Sequence, residues 1–399
     1  MRIPGFLGIV LCLVVLCDIY LFLRLRHRRK KYLSITYAAV SVFLYILLFF
    51  GFHTISKGQI DANVRFMMWS GLHGFIFLSF STAKLIAGLF DIISFLPKIW
   101  RSKQWRPLSI IGVSLAAIIF AGMWWGALIN RFRIEVNEVE IVVPDLPERF
   151  DGLTIAQISD LHTGTYAADT TFTSKLVEKV NSLNADIIAF TGDIVNSRTE
   201  EVRPHISPLS RLKAPYGVYS ILGNHDYGDY FKWDSPLAKQ ANVDSLVSIQ
   251  RGMGWKLLLN ESSTLHRGND SIVIIGVENI GDPPFKCYGS LAKAYPDIND
   301  GSFKILLSHN PAHWTDSIAD RRIDIPLTLS GHTHAMQIEV LGLSPAVFKY
   351  PTWGGLYSDS LDMHKLYVNI GAGTVGLPMR FGATPEITFI TLRRQPSVR

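Results

Sequence analysis

The sequence predicts a multi-pass α-helical membrane anchor over residues 1–130, followed by an α/β domain over residues 131–399. Three observations lead there. Long apolar runs are confined to the first third of the chain. Beyond it the apolar period shortens, and strands alternate with helical stretches. Finally, five of those strands each run straight into a short cluster of Asp, His or Asn.

Four apolar segments reach the length of about 20 residues that a bilayer requires: Ile3–Phe22, Leu33–Phe52, Phe66–Phe90 and Leu108–Ile129. The third carries Lys84 and ends at Asp91, so Lys84 is expected to snorkel to the interface. No small-x-small site precedes the first basic cluster, so the first segment is expected to be retained rather than cleaved. The first loop holds Arg24, Arg26, Arg28, Arg29, Lys30 and Lys31, and the third holds Lys98, Arg101, Lys103 and Arg106. The middle loop has only Lys57 and Arg65, offset by Asp61. The positive-inside rule therefore puts the first and third loops in the cytoplasm and the α/β domain outside the cytoplasmic membrane. Arg131 and Arg133 pull the other way, four basic residues against ten.

The net charge of +6 sits in these loops rather than along a stripe, so no nucleic-acid partner is expected. Three cysteines give no disulfide framework: Cys12 and Cys17 lie in an apolar run, and Cys287 stands alone.

In the second domain, strands are expected at 134–143, 153–158, 186–190, 217–222, 271–277, 303–307 and 325–329. A helix is expected at 173–183, from the spacing of Leu176, Val177, Val180 and Leu183. The clusters that follow are Asp160-Leu-His162, Gly192-Asp193, Gly223-Asn-His-Asp226, Ser308-His309-Asn310 and Gly331-His-Thr-His334. Loops after parallel strands open on one edge of the sheet, where such folds bind ligands. Carboxylate, imidazole and amide oxygen together suit divalent cations, and the absence of cysteine disfavours a thiolate site. His205, His266, His313 and His364 stand outside the clusters and are read as structural. The aromatic stretch Phe348 to Tyr357 is read as packing rather than as a lipid clamp.

This ordered set resembles the calcineurin-like metallophosphoesterases, most closely their membrane-anchored bacterial branch. The likeness runs from Ile134 to the C-terminus and includes the tail Asn369-Ile-Gly-Ala-Gly-Thr, Leu377-Pro-Met-Arg380-Phe-Gly and Pro385-Glu386. It implies a four-layer αββα sandwich, with two mixed sheets face to face and helices outside. It also implies hydrolysis of a phosphate mono- or diester with two divalent ions (Mn, Zn or Fe). By the same resemblance Asp160, His162 and His334 hold the first ion, Asn224, His309 and His332 the second, and Asp193 bridges. His225 stays off the metals and faces the substrate as the catalytic acid.

Two positions depart from the family pattern. Asn196 stands where a carboxylate commonly orients the catalytic His; either Asn196 accepts from a less basic His225, or Asp226 substitutes. Ala335-Met336-Gln337 stands where Gly-Gly-Gln is frequent. The start of the domain close to the last span suggests a phospholipid-like or lipid-linked substrate. Two other functions compete: a metal-binding sensor with an inactive site, and a transporter with an appended domain. The complete ligand set weighs against the first, and the few intramembrane charges against the second.

Overall fold

The computed structural model describes residues 5–28, 30–56, 64–100, 103–283, 286–321 and 324–395. The loop charges Arg29, Lys57, Asp61 and Arg101 lie outside them. The chain divides into two compact units, Met1–Leu128 with Gly376–Met379 and Ile129–Val375 with Arg380–Arg399.

The first unit contains α1 (Gly5–His27), α2 (Lys31–Ser56), α3 (Val64–Ile93) and α4 (Arg106–Leu128). All four are long and apolar enough to cross a membrane. Helix α1 runs past the expected end at Phe22, so Arg24 and Arg26 lie in its last turn rather than in the loop. Lys84 does not snorkel. Its Nζ lies 3.0 Å from Asp18 Oδ1 and 2.9 Å from Ser41 Oγ, and the hydroxyl of Tyr45 donates to Asp18 Oδ2 at 2.7 Å. Asp91 likewise accepts from Tyr20 (2.6 Å), Arg24 Nε (2.9 Å) and Ser109. A lone charge in an apolar bundle is expensive, so pairing across helices displaces the expected route to the interface.

The second unit has two six-stranded mixed sheets. Its strands are β1 (Glu135–Val143), β2 (Thr154–Ile158), β3 (Ile187–Phe190), β4 (Val218–Ser220), β5 (Lys256–Leu257), β6 (Glu261–Arg267), β7 (Asp270–Gly276), β8 (Phe303–Leu307), β9 (Leu327–Ser330), β10 (Gly355–Ser358), β11 (Lys365–Val368) and β12 (Glu386–Arg394). One sheet runs β1-β12-β2-β3-β4-β5 and the other β10-β11-β9-β8-β7-β6.

Side-chain alternation explains the layering. Ile155, Ile187 and Ala189 of the first sheet meet Ile274, Ile305, Leu307 and Leu329 of the second in a shared core. The opposite faces of the same strands, through Ala156, Ile188 and Phe190, pack on helices Thr171–Ser182 and Pro236–Gly252. On the far side Val273, Leu306 and Val368 pack on Trp314 of helix Ala312–Ser317. This is the expected four-layer sandwich. Strands β5, β6 and β10 to β12 and the helix Pro236–Gly252 add to the elements expected from the sequence. Among them β12 occupies the interior of the first sheet, parallel to β1 and antiparallel to β2.

Candidate metal centre

All five clusters lie just past the C-terminal ends of parallel strands: β2, β3 and β4 in one sheet, β8 and β9 in the other. Face-to-face packing brings the five loops to one edge. The backbone there is unusual, since Asp160, His162, Asp193, His332 and His334 all have positive φ, between 48° and 76°. Each such non-glycine residue costs about 1–3 kcal/mol and needs its surroundings to hold it. Hydrogen bonds between the loops do so. Asp160 N–H donates to Gly192 O (2.9 Å), His162 N–H to Asp193 O (3.2 Å), and His332 N–H to Asp160 Oδ2 (3.0 Å). Approach is close enough to require glycine at two joints. A Cβ at Gly223 would lie 2.2 Å from Asp193 Oδ1, and one at Gly331 2.0 Å from Ser159 Oγ.

The seven expected ligands come together in two overlapping groups. In the first, His162 Nε2 lies 3.0 Å from His334 Nε2, and His334 Nε2 3.2 Å from Asp160 Oδ1. In the second, His309 Nε2 lies 3.1 Å from both Asn224 Oδ1 and Asp193 Oδ2, and His332 Nδ1 2.8 Å from the same Asn224 oxygen. Asp193 Oδ2 also approaches His162 Nε2 at 3.8 Å, so it faces both groups. Asp160, Asp193, His162, His309 and His334 are buried.

The donor set fits a cation. His309 Nδ1 lies 2.7 Å from the Thr191 carbonyl, so Nδ1 carries the proton and a neutral ring turns its Nε2 lone pair on two oxygens. Lone pairs converging in this way need a positive charge between them. Otherwise the Asp193 and Asp160 carboxylates must hold His309 protonated, pushed up to about 10 against its burial, while burial and the His309 charge push His332 down to about 3. Burial opposes ionisation of Asp160 and Asp193, but the facing imidazoles outweigh it and hold both below the usual carboxylate range.

His225 joins His162 and Asp193 in a third group, whose ligand atoms all lie within 4.8 Å of one another. Its Nδ1 lies 2.6 Å from the backbone carbonyl of Asn196. The expected orienting role therefore falls to neither the Asn196 side chain nor Asp226. Asp226 is turned inward, where Oδ2 accepts from the amides of Asp193 and Gly223 (both 2.9 Å) and Oδ1 from those of Ile194 (2.9 Å) and Val195 (3.2 Å). Glu201 holds the next turn, accepting from the amides of Asn196 (2.5 Å), Ser197 (3.2 Å) and Arg198 (3.1 Å).

Three further side chains were not picked out from the sequence. Tyr350 hydroxyl lies 2.9 Å from His332 Nε2 and donates to Asp282 at 3.3 Å. Tyr230 hydroxyl accepts from Asn224 Nδ2 at 2.8 Å. Arg380, fully buried and pushed down to about 10 by that burial, donates to His334 Nδ1 at 3.2 Å and to the carbonyls of Ile370, Gly373 and Ala383. Arg380 carried a signal within the C-terminal tail, and Tyr350 lay in the aromatic stretch read as packing. Of the histidines set aside, His205, His313 and His364 bond Thr173, Ser308 and Asp359 respectively. The aromatic stretch divides: Tyr350 is buried and Trp353 packs on Ala335, but Phe348 is 93% exposed, so packing does not account for it.

This fold and site define a metal-dependent phosphoesterase class, and comparison with known proteins agrees. Residues 153–336 match the family described as calcineurin-like phosphoesterase. Residues 1–131 match the family described as "Probable Calcineurin-like phosphoesterase, transmembrane domain". The chain belongs to the calcineurin-like metallophosphoesterases. It is 32% identical over 70% of its length to a transmembrane protein with metallophosphoesterase domain from Danio rerio, of which it spans 62%. It is 32% identical over 71% of its length to the uncharacterized metallophosphoesterase YkuE of Bacillus subtilis, covering 95% of it. It is 31% identical over 72% of its length to UDP-2,3-diacylglucosamine pyrophosphatase LpxG of Chlamydia trachomatis, covering 98% of it.

Proposed function

We propose that residues 131–399 form a dinuclear metal-dependent phosphoesterase held at the outer face of the cytoplasmic membrane by residues 1–130, hydrolysing a lipid-linked phosphate mono- or diester. The observation that carries the catalytic part is the convergence of seven side chains from five loops into two groups that share Asp193. Asp160, His162 and His334 would hold one ion, Asn224, His309 and His332 the other, with Asp193 shared. Such a pair supplies an activated water near neutral pH and neutralises the phosphoryl oxygens.

The chain's own residues do the rest. The Thr191 carbonyl fixes the His309 tautomer, and the Tyr350 hydroxyl caps His332 on the ring nitrogen away from Asn224. As an imidazolium, His225 keeps its Nδ1 proton on the Asn196 carbonyl and delivers the proton on Nε2 to the departing alkoxide, returning to the neutral ring. Ten basic residues against four support the outer location. A relative named for a diacylated substrate supports a lipid-linked one.

The test uses the full-length protein in detergent, with Mn²⁺ and a nitrophenyl phosphodiester as substrate. Turnover is expected, with two metals per chain by elemental analysis. An unaltered Asp193→Asn variant, in metal content and in rate, would remove the shared-ligand role. Metal binding without turnover of any ester would favour the sensor instead. A C-terminal reporter active only in the cytoplasm would reverse the orientation.

A further inference from the structure

The segment that follows the His334 turn leaves its apolar side chains outside the fold. Val340 and Leu343 exchange backbone hydrogen bonds of 2.9 and 3.1 Å around Leu341 and Gly342, whose φ values are +54° and +76°. Two-residue turns with positive φ at both central positions favour Asn-Gly. Here the first of them is a leucine, 97% exposed at the tip. Phe348 is also almost fully exposed, Leu343 about three-quarters, and Met336, Val340 and Val347 about half. No charged residue interrupts Val340 to Phe348, while Glu339 and Lys349 flank the stretch. Scattered exposed hydrophobics are ordinary, but a continuous group of this kind marks a contact surface.

The lip is tied to the metal centre. Ser344 Oγ donates to the Ala335 carbonyl at 2.6 Å, next to His334. Glu339 N–H donates to Phe381 O at 2.8 Å. Tyr350, two residues beyond Phe348, touches His332.

We propose that this lip inserts into the acyl-chain layer of a lipid bilayer, so that the metal centre meets phosphate esters at headgroup level. The idea deepens the proposed lipid-linked function and rests on it for the substrate. Two features select a bilayer as the occupant. The same chain carries four spans, the last helix ending at Leu128 one residue before the second unit begins, so a bilayer is always tethered nearby. The apolar residues stand on projecting turns, a shape that suits a fluid layer rather than a complementary protein face.

The test labels the full-length chain in lipid nanodiscs, with Cys12, Cys17 and Cys287 replaced by alanine. An environment-sensitive fluorophore is placed at Leu341→Cys or, as a reference, at the exposed Lys179→Cys. The lip probe is expected to shift to the blue, to resist aqueous iodide and to be quenched by lipids spin-labelled near the top of the acyl chain. A lip probe no more sensitive to that lipid than the Lys179 probe overturns insertion. A probe shielded from iodide yet indifferent to the lipid, and unshielded when each disc holds one chain, assigns the face to a second copy and also overturns it. The double variant Leu341→Asn with Phe348→Asn should turn over a soluble nitrophenyl ester unchanged in detergent, and should lose about tenfold on an ester resident in the bilayer. An immersed probe with no turnover of any lipid ester leaves insertion standing and defeats only the lipid-substrate reading.

Discussion

Replacing Asp226 by Asn tests whether one buried carboxylate holds two ligand-bearing loops in register. Its oxygens accept four backbone amides, two each, from Asp193, Ile194, Val195 and Gly223. Asparagine keeps one acceptor oxygen and turns an NH₂ on the other pair of donors. Two buried amides then lose their partner, at about 1–3 kcal/mol each. Removing a charge that burial and the neighbouring Asp193 disfavour offsets part of this, since the same two causes push Asp226 up to about 7. The net expectation is a local loss of about 2–4 kcal/mol. Hydrogen–deuterium exchange of the full-length protein in detergent reads it directly. Amides at 193–195 and 223 should exchange roughly 30- to 1000-fold faster, at about 1.4 kcal/mol per decade, with the inter-sheet core unchanged. Metal affinity should fall too, because Asp193 and Asn224 ride on these loops. Unchanged exchange at those four amides in a folded variant would refute the clamp.

Met336→Gly should stabilise the protein by about 0.5–1 kcal/mol in denaturant titration, because Met336 has φ +47° and glycine takes that region without strain; a loss of stability would mean that its side chain contributes more than its backbone costs. Burial pushes Glu201 up to about 7 in spite of three amide donors, from an ordinary value of 4.5. A raised acid pKa gives stability that is full below about 4.5 and is lost as pH rises through about 7. Thermal stability should therefore fall across that window, and Glu201→Gln should flatten the fall; an unaltered slope in the variant would assign it to another group. His225→Ala should lower kcat by about 10²–10⁴-fold with metal content kept, and less for nitrophenyl than for alkyl esters; equal losses on both would remove the proton-donor role. Tyr350→Phe keeps the ring but deletes the hydroxyl on His332, so about a 10- to 100-fold loss of metal affinity is expected; unchanged binding would make the contact incidental.

The five loops of the candidate site were legible because divalent cations would demand particular side-chain types, and each cluster sat directly after a buried strand. The membrane helices were legible from length and hydropathy. What escaped were features that depend on which way a side chain turns. Asp226 was visible in Gly223-Asn-His-Asp226, yet nothing in that string says that its carboxylate faces four amides rather than His225. Lys84 and Asp91 were visible as intramembrane charges, but their partners Asp18 and Arg24 lie more than 60 positions away in sequence. Strand β12 escaped for a similar reason. Its residues alternate only partly, and its place between β1 and β2 is set by pairing across more than 230 residues.

The positive φ values link these observations. Five of the eight sequence-picked site residues, Asp160, His162, Asp193, His332 and His334, adopt a backbone that L-residues avoid, and the left-handed run continues through Ala335, Met336 and Gln337. A left-handed residue aims its side chain where an extended or right-handed one cannot, and that allows paired ligands such as Asp160 and His162, two residues apart, to reach one point. The strain is tolerable only because buried acceptors fix the loops from behind, Asp226 beneath Asp193 and Gly223, and Glu201 beneath Asn196. Glycine at positions 335 and 336 would relieve strain that this chain retains. Retaining it keeps side chains on the turn, among them Met336, at the start of the exposed apolar lip. The strained turn of the candidate site and the exposed lip are thus continuous: the backbone that aims His334 also carries Met336 to that edge.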